Sequence, residues 1–443
     1  MCFEKMVGIV VMLALLLFGG ARAWAQEVEA WERGISDFLE EGYWGSIYER
    51  EFKAERRAPP SLFAEKRAPL SLFLDVKEEY DDNIFSTAED RSRGLITSIT
   101  PGVRVRSSGL RHEASLDYRL RVTRYANVDP APGVDLKGLD YLGHSLSLGV
   151  KRMIADNFKI GIEEQFLLSR RPADMYLATN RISAAEYWRN WFSPYLAYQL
   201  SERTALGLRL RLDTLRYRES FTPADEDSAS YGGEFTLGHW MNPRTWFFAD
   251  FRGFSRDYDW SEGYKANQFL LGVRSSFNPT FRGEFSLGYQ KRDFSREIEG
   301  MVEDRGEFLG LARLIRETEK SEVELIYFHH PIDIGEGGAY YTIDRTSLTL
   351  FYLLLPTVKV AASLFYERVS YDHERVFTEG GKLEKRSDDL YGGDILLEFN
   401  IKKWLYLSLG YTGMGRDSNL WQGDYKKNQV FFSLRSVMEL WKE

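Results

Sequence analysis

The chain has 443 residues, with 58 Lys and Arg against 66 Asp and Glu, a formal net charge of −8, 15% aromatic residues, 37 Gly and a single Cys. The lack of a basic excess argues against nucleic acid as a partner, and a lone Cys2 leaves no disulfide or thiolate metal site in the rest of the chain. A polar average, with mean hydropathy −0.38, combined with so many aromatic rings suits strands that have one greasy and one wet face.

Residues 1–25 have the layout of a cleavable secretory signal: Lys5, an apolar run from Val7 to Phe18, then Ala23-Trp24-Ala25 before Gln26. The run falls short of the about 20 apolar residues a spanning helix needs. Export without cysteine fits a bacterial envelope protein.

Residues 26–69 change character. Trp31, Ile35, Phe38 and Leu39, then Trp44, Ile47, Tyr48 and Phe52, recur at helical spacing, which predicts a short helical periplasmic segment. It covers apolar surface, trails as a tail, or serves as a plug or docking arm. A near-duplicate follows, ERRAPPSLFA from Glu55 and EKRAPLSLFL from Glu65. The first copy reads as linker. The second runs into Leu72, Leu74 and Val76 and reads as a first strand.

From about Leu70 to the end the period is two. Val103-Arg104-Val105-Arg106, Leu116 to Val122, Leu206 to Leu212 and Phe285 to Tyr289 alternate apolar with polar or tiny residues. The connections alternate as well. Short links such as Ser108-Gly109-Leu110, Asn242-Pro243-Arg244 and Ile401-Lys402-Lys403 are interleaved with longer polar stretches. The prediction is all-β: a transmembrane antiparallel up-and-down β-barrel of about 18 strands over 70–443, with short periplasmic turns and long external loops. Trp188, Trp191, Trp240, Trp246, Trp260, Trp404, Trp421 and Trp441 are expected near the membrane interfaces. The last strand, Asn428 to Met438, should point Val430, Phe432 and Leu434 outward and Ser433 and Arg435 inward.

Parity then assigns a lumen. With the leucines outward, Arg104, Arg106, Arg119, Arg121, Arg209, Arg211, Arg252 and Arg274 turn inward as pore-lining candidates, and so do Glu163, Glu322 and Glu324. The reading has an arginine sector facing a separate carboxylate sector across a water-filled pore that favours anions. Mutual neutralisation of the charges in a poorly conducting lumen is the alternative.

Catalysis is not expected. No HExxH, GxSxG or phosphate loop is present, and His144 with Ser145 or His329 with Asp333 are pairings that chance supplies. No cofactor is implied. Asp81-Asp82-Asn83 and Asp225-Glu226-Asp227 offer calcium-type oxygens, with solvated loop charge the commoner explanation.

Glu79-Tyr80-Asp81-Asp82-Asn83-Ile84-Phe85, Leu95 through Thr100-Pro101-Gly102, and Tyr118 to Tyr125 with Asp140-Tyr141 and His144 together resemble the N-terminal signature of the β-barrel porin 2 family, bacterial outer-membrane proteins often encoded beside exopolysaccharide or exosortase genes. The resemblance implies an outer-membrane barrel associated with polysaccharide export and brings no catalytic residues. The partners expected are outer-membrane lipid, the barrel assembly machinery, and exopolysaccharide or small anionic solutes. A non-conducting scaffold that displays loops and binds periplasmic partners is the competing function.

Overall fold

The computed structural model describes residues 70–132, 135–170, 186–218, 227–259, 263–294, 305–333, 340–377, 383–420 and 423–440. The expected signal, the amphipathic segment and the first copy of the duplicated decapeptide lie outside them, as do Trp260, Trp421, Trp441, Asp225 and Glu226.

Eighteen strands follow one another along the chain. They are β1 (Leu70–Asp81), β2 (Arg93–Gly109), β3 (His112–Asp129), β4 (Tyr141–Ala155), β5 (Phe158–Ser169) and β6 (Tyr187–Ser201). Next come β7 (Thr204–Tyr217), β8 (Ser228–Asn242), β9 (Thr245–Tyr258), β10 (Tyr264–Asn278), β11 (Phe281–Phe294) and β12 (Arg305–Glu317). The set ends with β13 (Ser321–Asp333), β14 (Tyr340–Leu355), β15 (Val358–Phe377), β16 (Leu383–Lys402), β17 (Leu405–Ser418) and β18 (Tyr425–Glu439). Every strand pairs antiparallel with its sequence neighbours, and β1 pairs with β18, so the sheet closes on itself. This is the all-β up-and-down barrel predicted, with the predicted strand number.

Alternation decides the faces. On β7, Leu208, Leu210 and Leu212 are 40%, 50% and 49% exposed, while Arg209 between them is 4% exposed. A strand sends successive side chains to opposite faces, so the exposed leucines form the outer face and Arg209 the inner one. The register carries that assignment round the barrel, through Leu208 opposite Phe235 and Phe235 opposite Phe251. An apolar band on the outside replaces the central core of a water-soluble domain.

Towards the long-loop end this band stops at a ring of tyrosines whose hydroxyls meet a polar side chain two residues further out on the next strand. Tyr327 donates to Asp344 at 2.9 Å, Tyr366 to Asp389 at 2.7 Å and Tyr411 to Asn428 at 2.7 Å. Tyr391 to Asp417, at 3.4 Å, and Tyr118 with His144 Nδ1, at 2.9 Å, repeat the diagonal. Amphipathic rings sit where an apolar slab gives way to water.

The tryptophans differ from expectation. Trp188 and Trp191 are three residues apart and therefore on opposite faces. Trp191, Trp240 and Trp246 belong to the inner face, where Trp246 is 3% exposed and packs with Tyr195 and Phe248. Among the described tryptophans, Trp188 lies on the outer face, stacked on Phe166, and Trp404 sits in the turn between β16 and β17. Residue type alone does not carry a face; parity does.

The stretch Tyr80 to Phe85 closes the barrel seam. Asn83 is fully buried: its Nδ2 donates to the carbonyls of Thr87 (2.8 Å) and Lys426 (3.0 Å), and its Oδ1 accepts from the Thr87 amide (3.0 Å). Asp82 accepts from the amide and side chain of Asn428 at 2.6 and 2.7 Å. Lys427 Nζ lies 2.8 Å from Asp81 and donates to the Ile84 carbonyl at 3.3 Å. The oxygens of Asp81, Asp82 and Asn83 offered for calcium are thus engaged by side chains and amides of β18 and by Thr87. Among the described residues no group of three or more metal-ligating side chains occurs.

Candidate functional site

The inner face is the candidate site, and its charges are cross-strand neighbours. Arg104 on β2 lies opposite Asp117 on β3 and donates to it at 2.8 Å through Nε. Arg119 shares the same carboxylate at 2.9 Å. On β7, Arg209 donates to Glu163 at 2.7 Å and to Ser193 Oγ at 3.2 Å. Arg211 donates to Glu234 at 2.8 Å. Arg252 lies 3.3 Å from that carboxylate and 3.6 Å from Asp250. Arg274 pairs with Glu284 at 3.0 Å, and Glu324 with Arg313 at 2.6 Å. Arg106, Arg121 and Glu322 take the same inner face by register, opposite Ser115, Gly143 and Phe351.

The wall therefore differs from the two-sector picture. Arginines and carboxylates are interleaved strand by strand, and Glu234 sits among Arg209, Arg211 and Arg252. Opposite charges a few ångströms apart attract far more than opposite charges across a wide lumen, so local pairing prevails over a transverse field. The alternation that revealed the arginines does not reveal this, because their carboxylate partners mostly lie on other strands, Glu163 on β5 and Glu234 on β8.

Several members of the wall escaped the sequence reading. Asp213 is gripped by Arg189 (Nε to Oδ1, 2.8 Å) and by Arg256 at 3.3 Å. Arg345 donates to Glu367 at 3.2 Å and Arg386 to Asp388 at 2.8 Å, while Arg435, which the sequence placed inward, donates to Asp75 at 2.8 Å. Extending parity from Phe247 and Phe251 to Arg256, or from Leu208 to Asp213, would have found two of these.

Inner aromatic rings lie beneath many of these cations. The Arg209 guanidinium stands 4.9 Å from the Tyr195 ring, Arg386 4.2 Å from Tyr371 and Arg345 4.6 Å from Phe365. Arg104 and Arg119 flank Phe73 at 5.6 and 5.5 Å. Two rings can lie flat because glycine is beneath them: a Cβ at Gly102 would meet Phe73 at 2.1 Å, and one at Gly161 would meet Tyr195 at 2.2 Å. The wall there is tiled in three layers, glycine backbone, aromatic ring and guanidinium. Stacking and ion pairing together hold each planar cation against the wall.

The histidines named for catalysis are placed elsewhere. His144 is on the outer face with Tyr118, while Ser145 points inward. His329 pairs with Asp344 at 2.8 Å on the outer face, and the Asp333 side chain lies outside the described residues.

No family model matches the chain, and no curated protein matches it. Among solved structures it is similar to Acinetobacter baumannii OccAB4, at 12% identity over 85% of this chain and 100% of that one, with a TM-score of 0.45. It is similar to Pseudomonas aeruginosa OprD at 12% identity over 86% of this chain and 98% of that one, with a TM-score of 0.44. The outer membrane protein opdK of Pseudomonas aeruginosa aligns at 10% identity over 83% and 99%, with a TM-score of 0.43.

Proposed function

We propose that the chain is a bacterial outer-membrane barrel that forms a passive, water-filled channel. The observation that carries this is the pairing of an apolar outer band with an inner wall of held charges in one closed sheet of 18 strands. Barrels of about 16 to 18 strands are too wide for their own side chains to fill and leave aqueous space. Polar inside and apolar outside is the arrangement a bilayer-spanning barrel requires. The pore-lining set is Arg104, Arg106, Arg119, Arg121, Arg209, Arg211, Arg252, Arg274, Glu163, Glu322 and Glu324, with Arg189, Asp213 and Arg256 added. Because the charges are paired, selectivity arises from small local excesses of cation rather than from a polarised lumen.

Within this reading the solutes are anionic, and the resemblance at residues 79–144 favours an exopolysaccharide moving outward. His144 and Ser145 point to opposite faces of β4, and the reading here is of transport rather than hydrolysis. The purified protein in planar bilayers is expected to give stepwise ion conductance with a modest anion preference. A correctly inserted barrel that stays electrically silent would overturn the channel reading.

A further inference from the structure

Several outer-face carboxylates near the edges of the apolar band have donors. Glu78 accepts from Thr97 Oγ1 at 2.7 Å, Asp344 from Tyr327, and Asp389 from Tyr366 and Arg368. Glu164, deeper in the band, differs from these. Glu163 beside it turns inward to Arg209, so Glu164 points outward. On its own strand it lies between Ile162 and Phe166, and across the sheet it lies opposite Leu148 on β4 and Phe192 on β6. Two outward positions separate Leu148 from His144 at the tyrosine edge, which sets Glu164 well inside the band. It is 8% exposed and has no hydrogen-bond or ion-pair partner among the described residues.

A second observation falls on the same patch. Asn190, diagonal to Glu164 on β6, has a fully buried Oδ1 without a hydrogen-bond partner. A carboxyl and an amide carbonyl left without donors in an apolar setting are each costly. They share a surface whose other members are mostly aliphatic or aromatic, with Thr214 opposite Asn190 on β7.

We propose that the outer face of β5 and β6 around Glu164 and Asn190 is a self-association surface, on which a second copy of this chain packs about a twofold axis parallel to the barrel axis. An isologous contact sets the same patch against itself. It brings the amide N–H groups of one copy into the same dry contact as the other's carboxyl. The Glu164 carboxyl is the group that gains donors across the contact, and the surrounding Leu148, Ile162 and Phe192 supply close packing. Polar side chains act in this way between membrane segments, where no water competes. The proposal rests on the bilayer placement of the barrel and is independent of conduction.

The test uses the full chain in phosphatidylcholine vesicles, carrying Cys2→Ser and one added cysteine, either Phe192→Cys beside Glu164 or Phe269→Cys on the outer face of β10, four strands further round the barrel from β6. Mild oxidation is expected to give a disulfide-linked doublet from the first and not from the second. Glu164→Leu or Asn190→Leu added to Phe192→Cys is expected to weaken self-association about tenfold, read as the dilution in lipid at which the doublet is lost. Glu164→Leu makes the band more apolar, so its circular dichroism and protease resistance should match the parent and separate lost association from lost folding. Equal doublets from both cysteines, a doublet unmoved by Glu164→Leu, or Phe192→Cys remaining single at every lipid dilution would overturn the proposal. Conductance on the same vesicles reads the channel separately: silence with the doublet retained removes only the channel.

Discussion

The inner wall and the outer tyrosine edge use the same side chains to opposite ends. Inside, Arg209, Arg211 and Arg252 converge on Glu234, which is 8% exposed, and Arg209 is stacked over the Tyr195 ring. Outside, Arg368 and Asp389 pair at 2.9 Å with 54% and 36% of their side chains exposed, and Tyr366 reaches the same carboxylate. An ion pair in water is nearly indifferent to loss of a partner, whereas a desolvated one leaves a stranded charge. The same chemistry is structural on the inside and a depth marker on the outside.

Breaking each region should expose that difference. The largest effect is expected from Glu234→Ala, which takes the carboxylate from Arg211 and weakens the charge balance around Arg209 and Arg252, and should lower stability by about 3 to 5 kcal/mol, read by denaturant unfolding from vesicles. Asp389→Ala should leave the unfolding midpoint where it is. A comparable loss in both would refute the contrast. Asn83→Ala comes next: it orphans the Thr87 and Lys426 groups at the seam and should cost about 1 to 3 kcal/mol, with local amide exchange rising first in 82–87 and 425–428. Converting Arg104, Arg119 and Arg209 to Gln leaves Asp117 and Glu163 without their main partners. The reversal potential in a salt gradient should then move toward cations, and an unchanged potential would place the current path elsewhere. Smallest is Tyr366→Phe, which removes one edge hydrogen bond and should slightly shift the depth of the barrel in bilayers of different thickness, read by tryptophan quenching.

The strands were legible because a period of two is written locally: eight residues around Leu206 already separate a wet face from a greasy one. Strand number followed from the alternation of short and long links, which needs no tertiary knowledge. Pairing was another matter. Nothing within Leu212-Asp213-Thr214 announces that Arg189 and Arg256, on two other strands, converge on it, and Glu234 in Gly-Gly-Glu-Phe gave no hint of its three arginines. Trp246 misled because its ring is equally content in an interface or over inner-wall neighbours. Glu164 was available in principle: in Glu163-Glu164 one carboxylate had to face outward, and the tandem itself was the signal.

The Asn83 clasp joins residues 343 positions apart in sequence, and its β18 half is the last strand of the sheet. It can form only after every intervening hairpin has registered, since a slip by one residue would exchange the faces of a strand and displace Lys426 from Asn83. Loop closure over such a span is entropically unfavourable until the sheet has grown round to meet itself. The clasp is in that sense a proofreading step: a chain that has miscounted a strand lacks a lock, and keeps an open, degradable edge.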